Sequence, residues 1–258
     1  RTTLNGEGLQ HQDGHSHLMA TTIPNCISYD PTYSYELATI ISSGMKRMFE
    51  DGENVFYYIT TMNENYVHPD MPEGVEEGIV RGLYPLKKSA KRGKKRVQLM
   101  SAGTIMREVE AAAVILEKDY GVAADIWSLT SVNELARDGH KVSRRNMMNP
   151  AEEPEVPYVQ QCLAPTEGPI IAATDYIRAH TNQIREFMPR SFTVLGTDGF
   201  GRSDTRAQLR EFFEVDRRYV VLAAMTALAD EGMVSRADVA KVMTDLGIDP
   251  AKPDPTTV

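Results

Sequence analysis

Three of the six histidines in this 258-residue chain fall within seven residues, in Gly8-Leu9-Gln10-His11-Gln12-Asp13-Gly14-His15-Ser16-His17, beside a carboxylate. Imidazole exchanges protons near neutral pH and is also a common metal ligand. Two chemistries therefore suit the segment. His-x-His spacing with a nearby Asp can supply metal ligands, and Gly14 lets the backbone turn those side chains inward. Alternatively, the imidazoles donate hydrogen bonds to an anionic substrate and move protons during turnover. A polar surface loop is the bland alternative, which the density of the cluster disfavours. Spacing alone does not choose between metal and proton chemistry.

Three further segments invite a ligand. Leu195-Gly196-Thr197-Asp198-Gly199-Phe200-Gly201-Arg202-Ser203-Asp204 sets three glycines between a strand and a helix, as a phosphate cradle would. Its spacing is neither a P-loop nor a dinucleotide fingerprint, so a tight turn packed against other backbone is the better local reading. Ala102-Gly103-Thr104 is ordinary strand-to-helix geometry. Thr60-Thr61-Met62-Asn63-Glu64-Asn65-Tyr66 follows a strand, where open α/β sheets place ligands.

These segments are positioned by alternating elements. Residues 1–25 read as a loop. Asp30-Pro31 offers an N-cap and first-turn proline for a helix of about 18 residues carrying Tyr35, Leu37, Ile40, Ile41, Met45 and Met48. Asp51-Gly52 stops it, and residues 55–60 form a buried strand, so 27–60 is a βαβ unit. Pro69, Pro72, Gly74 and Gly78 mark a linker. Strands are then expected at 97–101, 124–129, 170–174 and 192–195, with helices at 105–120, 131–145 and 176–187. Two or three helices finish the chain, the last capped by Ser235-x-x-Asp238. The pattern predicts an α/β class protein with three-layer, mostly parallel sheets.

Bulk properties exclude several functions. A net charge of −8 argues against nucleic-acid binding, and the basic run from Lys87 to Arg96 reads as a solvated linker. Cys26 and Cys162 form no CxxC pair, which fits a reducing cytoplasm and neither a disulfide framework nor a zinc site. No apolar run approaches the roughly 20 residues of a membrane helix. Arg1-Thr2-Thr3-Leu4-Asn5 has no initiator Met, and the expectation is a chain that begins within a longer protein.

Together, His11-Gln12-Asp13-Gly14-His15-Ser16-His17, Ile23-Pro24-Asn25, Ile59-Thr60-Thr61 and Thr197-Asp198-Gly199-Phe200-Gly201 resemble the transketolase superfamily. Within it, residues 1–11, 58–66 and 195–203 resemble the homodimeric bacterial pyruvate dehydrogenases. The likeness covers essentially the whole chain. It implies that residues 1–78 are the C-terminal part of a thiamine-diphosphate pyrimidine-binding middle domain, and that 79–258 are a transketolase C-terminal-like domain. It further implies decarboxylation of pyruvate, with the acetyl group passed to the lipoyl domain of a dihydrolipoyl acetyltransferase, in a cytoplasmic homodimer with no nucleic-acid or membrane partner. His11 matches the family's active-site histidine on the substrate side. His17 and Asp13 match the transketolase Asp-Gly-x-x-His segment, whereas His15 stands where transketolases usually carry proline. The resemblance makes His11 and His17 catalytic and places His11, Asp13 and His15 at the substrate.

Thiamine diphosphate and Mg2+ are the cofactors the resemblance implies. The Gly-Asp-Gly motif that holds them in the family is missing, so neither is expected to be held by this segment alone, and the chain by itself is expected to be inactive. Thr61 stands near a transketolase arginine that meets a sugar phosphate, and a neutral residue there suits a small 2-oxo acid better. The competing readings are a transketolase-like sugar-phosphate enzyme, a non-catalytic α/β dimerisation or docking module, and a metal-binding histidine loop.

Overall fold

The computed structural model describes residues 1–258. The chain builds two sheets. Its N-terminal part holds α1 (Ser16–Ala20), β1 (Cys26–Tyr29), α2 (Ser34–Met45) and β2 (Phe56–Ile59), and β1 and β2 pair in parallel with Cys26 opposite Phe56. This is the expected βαβ unit. Then follow α3 (Glu76–Arg81), β3 (Tyr84–Lys87), β4 (Arg96–Ser101), α4 (Met106–Asp119), β5 (Ala123–Ser128), α5 (Val132–Met148) and α6 (Tyr158–Leu163). The chain closes with β6 (Ile170–Ala173), α7 (Arg178–Asn182), β7 (Phe192–Leu195), α8 (Arg206–Phe212), α9 (Arg217–Asp230) and α10 (Arg236–Asp245).

The second sheet has the order β3-β5-β4-β6-β7, parallel except for the β3 edge. Every residue of β5, and of β4 after Arg96, is buried. Strands covered on both faces read as continuous apolar runs for this reason. One core joins Leu99 and Ile126 to Val109 of α4 and Val221 of α9; the other joins Met100 and Ala172 to Leu135 of α5 and Val159 of α6. Helices therefore cover both faces in three layers. No helix is long and apolar enough to cross a membrane.

Local departures from expectation have physical causes. The helix α2 starts at Ser34, not behind Asp30, because the Asp30 carboxylate is turned inward to the Thr60 hydroxyl. Glu36 takes over the end of the helix, accepting from the Tyr33 backbone N–H at 3.0 Å. Residues 46–50 continue α2 as a wider π turn that stops before Gly52, so the expected length holds. The strand expected to be buried is not: Phe56 is exposed and the rest of β2 is only half-buried, since β2 pairs only with β1. The expected linker already contains the start of α3, which ends at Gly82 with a φ of 102°. β3 carries Pro85, which a sheet edge tolerates. The expected helix over 176–187 is reduced to α7 and a 3-10 turn at Arg185–Phe187, with Ile177 still extended and its N–H donated to the Gly14 carbonyl. The Ser235–Asp238 capping box forms as expected, with reciprocal bonds of 3.1 and 2.8 Å.

The two sheets meet where their strands end. Asp30 and Thr60 follow β1 and β2, and Thr104 and Asp175 follow β4 and β6. The Asp30 N–H donates to the Thr130 carbonyl at 2.9 Å. Residues 1–17 lie along this seam.

Candidate active site

Asp175 ties the first residues of the chain into the seam. Its carboxylate accepts from the Thr2 N–H (2.9 Å), the Thr2 hydroxyl (2.7 Å) and the Thr3 hydroxyl (2.9 Å). The Thr3 oxygen lies 2.7 Å from that of Thr104. On the other flank, Glu64 meets Arg107, Arg206 and Arg210, which pins the loop after β2 against α4 and α8. Between these anchors an open pocket of about 200 Å³ is lined by His11, Asp13, Thr60, Thr61, Asn63 and Tyr176, among others.

The four residues singled out in the sequence take four different positions. His11 lies on a 3-10 turn (Leu9–His11) at the pocket wall, its side chain 52% exposed and Nε2 3.8 Å from Glu7. Asp13 accepts from the backbone N–H groups of His15 and Ser16, both at 3.0 Å, and from the Ser16 hydroxyl. Burial pushes its carboxyl up, but these bonds outweigh that and hold it below the usual range. Its oxygens thus hold the turn that starts α1. His15 is exposed outside the pocket, with Nδ1 3.2 Å from an Arg1 guanidinium nitrogen. His17 is only 1% exposed and lies behind the pocket wall, not on it.

The His17 ring is enclosed by Tyr58 and Tyr176, both edge-on, and stacks on His180 at 5.2 Å. Its Nε2 lies 2.8 Å from Thr60 Oγ1, which lies 2.7 Å from Asp30 Oδ1. Thr60 alone of these three also reaches the open pocket. Burial pushes His17 down to about 4 and His180 to about 3, so both rings are neutral at physiological pH. Burial also pushes Asp30 up to about 7, against the Thr60 hydrogen bond and helped by Asp175 and Glu36. Asp30, Thr60, Tyr176 and His180 thus join the site. Sequence reasoning marked the segment after β2 but missed the acid after β1 and the aromatic and imidazole after β6. Each follows a parallel strand, which is the signal that could have found them.

No three His, Cys, Asp or Glu side chains converge as a metal site. The histidine loop fails as a metal binder because His17 points into the core while His15 faces solvent. The glycine turns are filled by protein. A Cβ on Gly199, whose φ is 98°, would stand 2.5 Å from the Pro255 carbonyl oxygen, and one on Gly201 would stand 2.7 Å from Gln12. The same construction at Gly103 meets the Asp30 carboxylate at 3.1 Å, and an acid beneath the turn opposes a phosphate. The glycine turns thus leave no open phosphate cradle.

Comparison with known proteins agrees with this architecture. Residues 1–69 match the family model for the pyruvate dehydrogenase E1 component middle domain, and residues 82–216 match that for the transketolase-like C-terminal domain. The chain is 56% identical to the pyruvate dehydrogenase E1 component of Cupriavidus necator over 100% of its length, and 53% identical to that of Escherichia coli K12 over 99%. It spans 29% of each of those relatives. Among solved structures, a transketolase from Leishmania mexicana matches 88% of the chain and 29% of its own length (TM-score 0.59, 15% identity). A split-gene transketolase, described as an inactive β4 tetramer, matches 86% of the chain and 64% of its own length (TM-score 0.57, 17% identity). Through both matched segments, the chain belongs to the transketolase-like family, on the branch of the pyruvate dehydrogenase E1 components, and corresponds to a C-terminal part of them.

Proposed function

We propose that this chain supplies one wall of the active site of a thiamine-diphosphate-dependent pyruvate dehydrogenase E1 component. That enzyme decarboxylates pyruvate and passes the acetyl group to the lipoyl group of a dihydrolipoyl acetyltransferase. The observation that carries this reading is the shared pocket of His11, Thr60 and Thr61 at the ends of two parallel sheets. Bound thiamine diphosphate supplies the electron sink for loss of CO2. In this reading the cofactor and Mg2+ are held by residues outside these 258, in a cytoplasmic homodimer, and residues 1–78 and 79–258 are its middle and C-terminal-like parts.

His11 presents its imidazole to the pocket and donates a hydrogen bond to the substrate carboxylate or moves a proton beside it. Asp13 holds the turn that sets the direction of the His11 segment, and His15 sits at its outer rim. His17 acts from behind Thr60. Thr61 leaves that wall neutral, and the Arg1 guanidinium is engaged by the Gly199 carbonyl, which disfavours a sugar phosphate as substrate.

Pyruvate-dependent dye reduction with thiamine diphosphate and Mg2+ tests the reading. A full-length protein containing this chain is expected to be active and the 258 residues alone silent, as the inactive split-gene chain illustrates for another protein. Turnover by these residues alone would mean that the cofactor site has been misplaced.

A further inference from the structure

Behind the pocket wall, a carboxyl, a hydroxyl and an imidazole stand in line. Thr60 Oγ1 lies 2.7 Å from Asp30 Oδ1 and 2.8 Å from His17 Nε2. Asp30 is 5% exposed and His17 1%. A hydroxyl has one hydrogen to donate, so Thr60 cannot donate to both neighbours at once. The Tyr29 carbonyl, also within reach of that hydrogen, is a longer contact at 3.4 Å, so the two short bonds compete for it and the direction of one biases the direction of the other.

We propose that Asp30 and Thr60 are positioning residues that set the tautomer of His17, the proton on Asp30 deciding which imidazole nitrogen carries hydrogen. With Asp30 protonated, its O–H donates to Thr60, the Thr60 hydroxyl donates to His17 Nε2, and the ring hydrogen sits on Nδ1. With Asp30 ionised, Thr60 donates to Asp30 and must receive from His17, so the hydrogen sits on Nε2. The balance between the states is one proton. Asp30 Oδ1–H passes its proton to Thr60, Thr60 passes its own to Nε2, and Nδ1 releases one to water. His17 stays neutral in both.

The surroundings favour such a pair of states. Burial lifts Asp30 to about 7, which places its ionisation in the working range of an enzyme. The charged and titratable groups that face the relay are Asp13 before α1, Glu36 on α2, Tyr58 on β2, Asp175 and Tyr176 after β6, and His180 on α7. The Arg1 N-terminal ammonium faces Asp30 as well and lowers it, but burial and the Asp175 and Glu36 carboxylates outweigh it. Next to the relay is an enclosed cavity of about 10 Å³, room for about one water, lined by His17, Asp30 and His180. Ser28 Oγ and Thr181 Oγ1, both buried without a protein partner, line it too. A water there is the first acceptor of the released proton. In either state the Thr60 hydrogen points inward, so Thr60 offers the open pocket only an acceptor lone pair.

The link to turnover rests on the pyruvate dehydrogenase reading, but the tautomer is read without substrate or cofactor, so the two can fail separately. The test is a long-range 1H–15N spectrum of the chain labelled with 15N-histidine, its His17 signals assigned by their loss in His17→Gln. Between pH 5.5 and 8.5 the protonated-type and bare-type nitrogen signals of His17 are expected to exchange places while the ring stays neutral. Thr60→Ser should preserve the exchange, and Thr60→Val and Asp30→Asn should abolish it. A single tautomer at every pH in the unmodified chain, which needs no variant to fold, would overturn the proposal. So would an exchange that survives in Thr60→Val.

Discussion

Asp30 and His17 both reach the same oxygen, that of the Thr60 hydroxyl, at 2.7 and 2.8 Å, and that oxygen also lines the open pocket beside His11. The relation joins three chain segments that are separate in sequence, and it makes Thr60 the hinge between the pocket and the buried polar groups behind it.

Replacing Thr60 should therefore destabilise the fold more than its size implies. Thr60→Val keeps the volume but leaves a buried carboxyl and a buried imidazole without their shared partner, at a cost of about 1–3 kcal/mol. Thr60→Ser keeps the hydroxyl and should cost less than about 1 kcal/mol. Equilibrium urea unfolding of the two variants against the parent distinguishes them. Equal losses would show that the hydroxyl is irrelevant and only the methyl matters.

Stability should respond to pH through Asp30 with a definite sign. Burial lifts this carboxyl from 3.8 to about 7. Between those values the folded protein keeps a proton that the unfolded chain has lost, so this contribution to stability falls as pH rises from about 4 to about 7 and is flat beyond. His17 and His180 act oppositely. Unfolded, each takes a proton near 6.5; folded, not until about 4 and about 3, so their contributions fall as pH drops. Asp30→Asn removes the first trend and keeps the second. The stability of Asp30→Asn minus that of the parent should therefore climb from pH 4 to 7, by up to about 4 kcal/mol, then level off. A pH-independent difference in chemical denaturation would contradict the shift.

Much of the scaffold was legible in the sequence. The apolar runs of β4, β5 and β6 and the periodicity of α4 and α5 announced a parallel sheet with helices on both faces. β3 was not legible, because a proline beside lysines reads as a loop and only pairing with β5 makes it a strand. At the site, the histidine cluster was conspicuous in the sequence, but its geometry was not. His11, His15 and His17 look alike in sequence, and only long-range packing sends one to the pocket, one to solvent and one behind Thr60. Asp30 looked like a helix cap until the seam between sheets drew it inward.

The glycine turn after β7 gives a separate prediction. Gly199→Ala should destabilise the protein by about 1–3 kcal/mol, because it combines a φ of 98° with an added methyl 2.5 Å from the Pro255 carbonyl oxygen. If the turn only packs against the C-terminal segment, inorganic phosphate should bind the parent and the variant equally poorly in calorimetric titration. Phosphate affinity in the parent that the variant loses would restore the cradle reading.

Turnover of a full-length protein containing this chain tests most directly whether His11 faces a 2-oxo acid in this pocket. With thiamine diphosphate and Mg2+ present, His11→Ala should lower pyruvate-dependent dye reduction by about 10²-fold or more, with an unchanged unfolding midpoint. His11 is half exposed and belongs to no buried network, so folding should tolerate its loss. Unchanged turnover in a correctly folded His11→Ala protein would remove His11 from the site and the present account with it.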